Sequence, residues 1–570
     1  MLRTWAIFLS SCFCTVYAAD PTADKVTNLP GLTFQINYGL YSGYLNAGKG
    51  GDWKMHYWLV ESKTNPTTDP VLVWFNGGPG CSSFGGAFEE MGPFYVAADG
   101  KTLFENKYSW NYRANMLFLE SPIGVGFSYD TKDPKFADAN DDQSRDMNYE
   151  ALTDFFNSYT QYKNRSFFLS GESYAGVYIP MLTARLGQGI SDGTFPNPNF
   201  QGSAIGNGYM DVKKLYNSLV LWSAYHGRVS MQEWDFLKAN CTQDVGQLND
   251  MDTYNYYSYL ATNSSLDFSS DNSTCGDLIF RLVSLPDRMD PYNYYQDCFD
   301  PTWQADWAKK TGGANHRQYA AKTRRIRRNA EKTPEIRAQY PSLAKSFNYD
   351  SSDPFFGYPC WNDAGLWIWA NNPDVQKALN IDAAWMKTGL TWEDCNDPIY
   401  WQYNMTWTNQ YSFFKDFLAV NKNPNFRFLI YNGDVDTVCN YLGDAWFVKE
   451  VAKQNGMTSN DRTEWWFSGQ SAGYTQRYTD PTKGILIDIM TVKGAGHFVP
   501  TDRPGAARQM ITNFIIAPLN EQLDYNSTMY VDTMPTLSPI LDDGMDTQTK
   551  IAQTNAFLLT FVIACMNLIF

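Results

Sequence analysis

The sequence predicts an α/β protein built on a mostly parallel central sheet with helices on both faces. Two observations carry this. Short apolar runs recur along the chain and end abruptly in glycine or polar residues, and helix-like segments follow several of them. A strand buried on both faces reads as a continuous apolar run, and β-α alternation lays such strands side by side under helices.

The runs occupy residues 71–75, 116–119, 167–169, 426–431 and 486–492. Helices are expected over 172–185 and 441–453. Residues 209–360 differ: they hold three sequons, two clustered cysteines and a Tyr-rich run at 254–259. They are expected to form an insertion, or cap, over the carboxyl edge of the sheet, where ligands bind in such folds. The core then comes in two parts, 19–208 and 361–518.

The chain has 570 residues, 44% hydrophobic and 16% aromatic, enough for a large core. Its formal net charge is −15. Nucleic-acid binding needs a basic face, so no nucleic-acid partner is expected. The charge suits an acidic or extracellular compartment, and ordinary surface solubility equally well.

Residues 1–18 carry Arg3, a mostly apolar stretch and then Val16-Tyr17-Ala18, the small-residue pattern of a cleavage site. This reads as a secretory signal peptide. Six N-x-S/T sequons, at Asn164, Asn240, Asn263, Asn272, Asn404 and Asn526, agree with a secretory route. Outside the leader and the tail seven cysteines remain: Cys81, Cys241, Cys275, Cys298, Cys360, Cys395 and Cys439. An odd number leaves at least one thiol without a partner in its own chain.

Residues 519–570 form a tail. Its apolar end, 556–570, follows a polar spacer and Asp542, Asp543 and Gly544. That order matches a GPI-attachment signal, which would place the protein at a membrane surface. A tail anchor or a packed terminal helix are the alternatives. Within 305–350 lies Lys322-Thr323-Arg324-Arg325-Ile326-Arg327-Arg328. It reads either as a solvated helix face or as a proteolytic processing loop.

The chemistry begins at Gly171-Glu172-Ser173-Tyr174-Ala175-Gly176, between a strand and a helix. This is the setting of a nucleophile elbow, with Ala175 where the pattern has Gly. A serine there needs a base. The chain has four His, and His497 follows a strand in Gly494-Ala495-Gly496-His497-Phe498-Val499-Pro500. The base needs a carboxylate, and Tyr431-Asn432-Gly433-Asp434-Val435-Asp436 follows another strand. Spacing allows either Asp434 or Asp436. The order Ser, Asp, His is that of α/β hydrolases. Asn76-Gly77-Gly78-Pro79-Gly80 can aim an amide at a developing oxyanion, with the Tyr174 amide as second donor.

These motifs, with Trp74-Phe75 before the glycines, Cys81-Ser82-Ser83 after them, Glu120-Ser121-Pro122 and Gly124-Val125-Gly126-Phe127-Ser128-Tyr129, resemble the serine carboxypeptidases over about residues 30–518. The resemblance implies an α/β-hydrolase fold and a catalytic triad of Ser173, Asp436 and His497. It implies oxyanion amides at Gly78 and Tyr174, and Trp74, Asn76, Glu90 and Glu172 binding the free carboxylate of a peptide substrate. It implies neither metal nor cofactor. Facing carboxyls must hold protons to receive a carboxylate, which predicts activity favoured at acidic pH. Cleavage near Arg328, hence a zymogen, and bonds Cys81–Cys360 and Cys275–Cys298 are expected on the same basis, with Cys439 a free thiol. A homodimer is compatible with this reading. The tail beyond about 520 lacks a counterpart in the lysosomal type, which favours the cell surface or the exterior over the lysosome. The alternatives are an esterase or acyltransferase of the same fold, and a surface-anchored binding protein with a silent triad.

Overall fold

The structure, a computed structural model, describes residues 19–97, 100–136, 138–241, 255–264, 267–284, 290–295, 298–299, 358–359, 364–517 and 523–541. The expected leader, the basic loop, Cys360 and the apolar end of the tail lie outside them.

Six parallel strands form the middle of a 12-stranded sheet. Their order is Asn115–Leu119, Val71–Phe75, Phe167–Ser173, Phe200–Gly208, Arg427–Gly433, Leu486–Val492. Antiparallel strands extend both edges: Trp53–Val60 and Leu40–Ala47 on one side, Gln470–Thr479 with its neighbours on the other. Each predicted strand is present. Val71–Phe75 shows why: Val71, Val73 and Phe75 enter one core while Leu72 and Trp74 enter the other. Helices Asp141–Ser158, Ala175–Ser191 and Tyr441–Gln454 pack on the first face and Pro504–Ile516 on the second. The helix expected from 172 begins at Ala175, because Glu172 and Ser173 still belong to the strand.

Among the six central strands, Phe200–Gly208 is the one that apolar runs do not reveal. Its sequence is FQGSAIGNG, yet every residue is buried. Its polar groups are satisfied inside: Ser203 meets Thr183 at 2.8 Å, and Asn207 donates to Asp436 in the loop after Arg427–Gly433. Between this strand and Arg427–Gly433 lie helices Val212–Tyr225, Met231–Asn240 and Thr274–Val283. Ser230 and Glu233 form a capping box at the second.

The disulfides differ from those the resemblance implied. Cys81 is bonded to Cys395, not Cys360, and Cys275 to Cys241, not Cys298. The reason is local. Residues beside Cys81 already pair with 394–396: Ser82 N–H donates to Asp394 O at 2.6 Å and Asn396 N–H to Gly80 O at 2.8 Å. Cys241 ends the helix Met231–Asn240, placing its Cα 5.5 Å from that of Cys275. Cys439 is a buried free thiol. Among the described residues no helix is long and apolar enough to cross a membrane.

Candidate active site

Ser173 ends its strand with φ 61°, a conformation that L residues seldom adopt outside sharp, over-determined turns. The turn is possible because its neighbours lack side chains. A Cβ on Gly171 would come within 2.4 Å of Phe75 O and 2.8 Å of the Ala175 Cβ, so Ala175 fits opposite a glycine. A Cβ on Gly77 would lie 2.5 Å from the Tyr174 nitrogen and 2.7 Å from the Ser173 Cβ. The loop carrying Gly78 thus runs directly against the start of the nucleophile helix, at the two amides expected to receive an oxyanion.

That loop is anchored from behind. The Ser82 hydroxyl donates to Glu120 Oε1, which also accepts Trp392 Nε1 at 3.0 Å. Glu120 Oε2 accepts the Phe127 amide at 2.8 Å and lies 2.9 Å from Nδ1 of the fully buried His56. Ser83 Oγ donates to Leu119 O at 2.7 Å.

His497 and Asp436 are brought together by the ends of two adjacent strands. Nδ1 lies 2.7 Å from Asp436 Oδ2, with both side chains buried. That oxygen also accepts Asn207 Nδ2 at 2.8 Å and the Cys439 amide at 3.0 Å, while Oδ1 accepts the Val438 amide at 2.8 Å. A carboxylate surrounded by donors assigns the ring proton to Nδ1 and leaves Nε2 able to take one. The His497 amide donates to Tyr292 O at 2.7 Å, and the Tyr292 ring packs 4.7 Å from the imidazole. Asp434 points elsewhere: its Oδ1 accepts the Gly494 amide at 2.7 Å and braces the histidine loop. Asn207, Tyr292 and Asp444 are missed by sequence reading, because none lies in a motif around the three residues of the expected triad. Asp444 is buried behind Asp436, accepting Asn432 Nδ2 at 2.7 Å and the Gly208 amide at 3.0 Å. Burial pushes its carboxyl up to about 8.

Glu172, next to Ser173, joins Glu90 around Asn76. Asn76 Nδ2 donates to Glu90 Oε1 at 3.1 Å and Glu172 Oε1 at 3.2 Å, and its Oδ1 accepts Trp74 Nε1 at 2.7 Å. Both Oε2 atoms are buried with no hydrogen-bond partner among the described residues. Burial pushes Glu90 up to about 7 despite the Asn76 donation. Burial, then the charge of Glu90, pushes Glu172 well above the usual carboxylate range. The four residues expected to read a carboxylate are therefore one cluster. Of the sequons, Asn164, Asn240, Asn272, Asn404 and Asn526 are exposed, while the Asn263 side chain lies outside the described residues.

The family model for serine carboxypeptidases matches residues 30–517. Serine carboxypeptidase ctsa-3.1 of Caenorhabditis elegans is 48% identical over 566 residues, covering 96% of each chain. The lysosomal protective protein of Mus musculus is 35% identical over 505 residues, covering 87% of this chain and 94% of that one. Among solved structures, a prohormone-processing carboxypeptidase from Saccharomyces cerevisiae aligns with a TM-score of 0.58 at 18% identity, covering 86% of this chain and 95% of that one; this likeness speaks for the fold.

Proposed function

The chain belongs to the serine carboxypeptidase family of hydrolases, and we propose that it releases C-terminal amino acids from peptides through an acyl-enzyme at Ser173. His497 is the general base: with its Nδ1 proton committed to Asp436, Nε2 takes the Ser173 proton as Oγ attacks the scissile carbonyl. The carbonyl π electrons move onto oxygen, and the Gly78 and Tyr174 amides receive the oxyanion. The imidazolium then protonates the leaving amine, the C–N bond breaks, and water repeats the sequence on the acyl-enzyme.

Trp74, Asn76, Glu90 and Glu172 read the free carboxylate. The observation that carries this is the buried Glu90–Glu172 pair, each with an unpartnered oxygen, beside the nucleophile. Protonated, the pair donates hydrogen bonds to a substrate carboxylate; ionised, it repels one. A peptide-library digest at pH 5 with wild type and Ser173→Ala tests the reading. Stepwise loss of C-terminal residues by wild type alone supports it. Internal cleavage, or equal release from C-terminal amides, refutes it.

Maturation along the secretory route belongs to the same proposal. Two disulfides suit an oxidising compartment, and five exposed sequons are available for glycans. A mass shift on glycan removal tests the sequons. Release by phosphatidylinositol-specific phospholipase tests the tail, and N-terminal sequencing of mature chains tests cleavage near Arg328.

A further inference from the structure

The family match ends at residue 517, yet residues 523–541 are folded onto the core as a strap. It is pinned along its path. The buried Tyr525 donates its hydroxyl to Asp488 Oδ2 at 2.9 Å, and its carbonyl accepts Gln509 Nε2 at 2.9 Å and Asn513 Nδ2 at 3.2 Å. Arg508 donates to Asp532 O. Ser538 gives both its N–H and its hydroxyl to the Glu105 carboxylate, at 2.5 and 2.9 Å. The end zips onto the N-terminal segment: the Gln35 amide donates to Pro539 O at 2.8 Å and the Leu541 amide to Thr33 O at 3.0 Å.

Both landing points lead to Glu90. Along the polar route, Glu105 also accepts Lys63 Nζ at 3.1 Å. The next residue, Asn106, donates from Nδ2 to Glu90 O at 3.2 Å and Gly92 O at 2.9 Å. Along the apolar route, Phe34 forms a backbone bridge with Ile540 and packs on Phe94, ring centroids 5.7 Å apart. Phe94 stacks on Phe88 at 6.1 Å, and Phe88 shares the helical turn Gly86–Glu90 with Glu90 itself. A carbonyl and a ring on one turn fix where the Glu90 side chain starts, and so where its carboxyl meets Asn76.

We propose that the strap is a positioning element for carboxylate recognition, acting on Glu90 through Glu105 and Phe34. This rests on the reading of Glu90 as a carboxylate reader; the strap itself touches no substrate.

The test uses the full chain as Ser538→Pro, which lacks both donors, Ser538→Thr, which keeps both, and Glu90→Ala, which removes the carboxyl. Rates on a blocked dipeptide and on its C-terminal methyl ester are normalised to Ser173 labelled by a fluorophosphonate, so that misfolded enzyme is not counted. Ser538→Pro is expected to raise KM for the free acid on the order of tenfold, with its kcat and the ester rate little changed. Ser538→Thr should behave as wild type. Equal losses on both substrates, or no change in either, overturn the strap proposal if Glu90→Ala still lowers the acid-to-ester ratio. If Glu90→Ala leaves that ratio unchanged, the reading of Glu90 fails, and the strap's role with it.

Discussion

Asn207 donates to Asp436 Oδ2 at 2.8 Å while its own Oδ1 accepts the Gly433 amide at 3.1 Å. One side chain thus fixes both the acid and the strand end that launches it. Removing a hydrogen bond to a charged group costs about 1.5–3 kcal/mol. Asn207→Ala should therefore lower kcat at least about tenfold with KM little changed, since tenfold corresponds to about 1.4 kcal/mol. Asp436→Asn should cost far more, about 10⁴, because it disrupts the imidazole tautomer. Steady-state kinetics on one peptide separates the two; equal losses would point to collapse of the site.

That asparagine also marks where sequence reading stops. The strands at 71–75 and 486–492 were legible because burial on both faces demands apolar residues at every position. Phe200–Gly208 was not, because its glycines and polar residues serve tight packing and the triad instead. Ser173 and His497 were legible from glycines that only a sharp turn or close approach requires. Spacing left Asp434 and Asp436 equal, and the loop geometry separates them: one accepts from Gly494, the other meets His497. The pairing of Cys81 with Cys395 depends on which segments lie side by side across 314 residues, and no local pattern encodes that. The strap was legible as a tail, but its packing depends on Glu105 and Phe34, far away in the chain.

On the proposed reading of Glu90 as a carboxylate reader, its titration should set the pH dependence of peptide cleavage. Its carboxyl is raised to about 7, and that of Glu172 is raised well above its usual range. Below about pH 7 the cluster holds its protons and donates to a substrate carboxylate. As pH rises through that value Glu90 loses its proton and repulsion sets in. We expect kcat/KM for a free-acid peptide to fall through about pH 7, with no matching fall for the ester. Glu90→Gln donates without titrating, so its profile should hold to higher pH. Parallel acid and ester profiles would refute this.

Stability should also fall as pH rises. Asp444 has a folded value of about 8 against 3.8, Glu90 about 7 against 4.5, and Asp24 about 6 against 3.8. Each raised group binds a proton in the folded state that the unfolded chain has already lost. The stability this brings is complete below about pH 4 and is lost as pH rises through the folded values. Each pKa unit corresponds to about 1.4 kcal/mol; of these three Asp444 has the widest gap and the partly exposed Asp24 counts for less, while Glu172, also raised, adds to the fall in the same direction. Urea midpoints should drop from pH 5 to pH 8. Asp444→Asn keeps an acceptor for Asn432 and Gly208 and should flatten that slope; an unchanged slope would sink the assignment.

The two disulfides among the described residues should separate stability from activity. Cys241–Cys275 closes 34 residues between two helices of the segment inserted before the acid strand. Its double alanine variant should lose about 3–4 kcal/mol of stability, by the entropy of the loop it closes, while kcat stays within about twofold. Cys81–Cys395 lies at the end of the glycine loop and ties it to the segment that hydrogen-bonds Gly80 and Ser82. Its double alanine variant should lose stability and, in addition, kcat on both peptide and ester, because the oxyanion amides serve both reactions. Losing one such donor typically costs on the order of 10² to 10³, and a loosened loop should cost part of that. Peptide mapping under non-reducing conditions checks the premise. It should recover 81 joined to 395 and 241 joined to 275, and a peptide joining 81 to 360 would overturn both the pairing and the activity argument built on it.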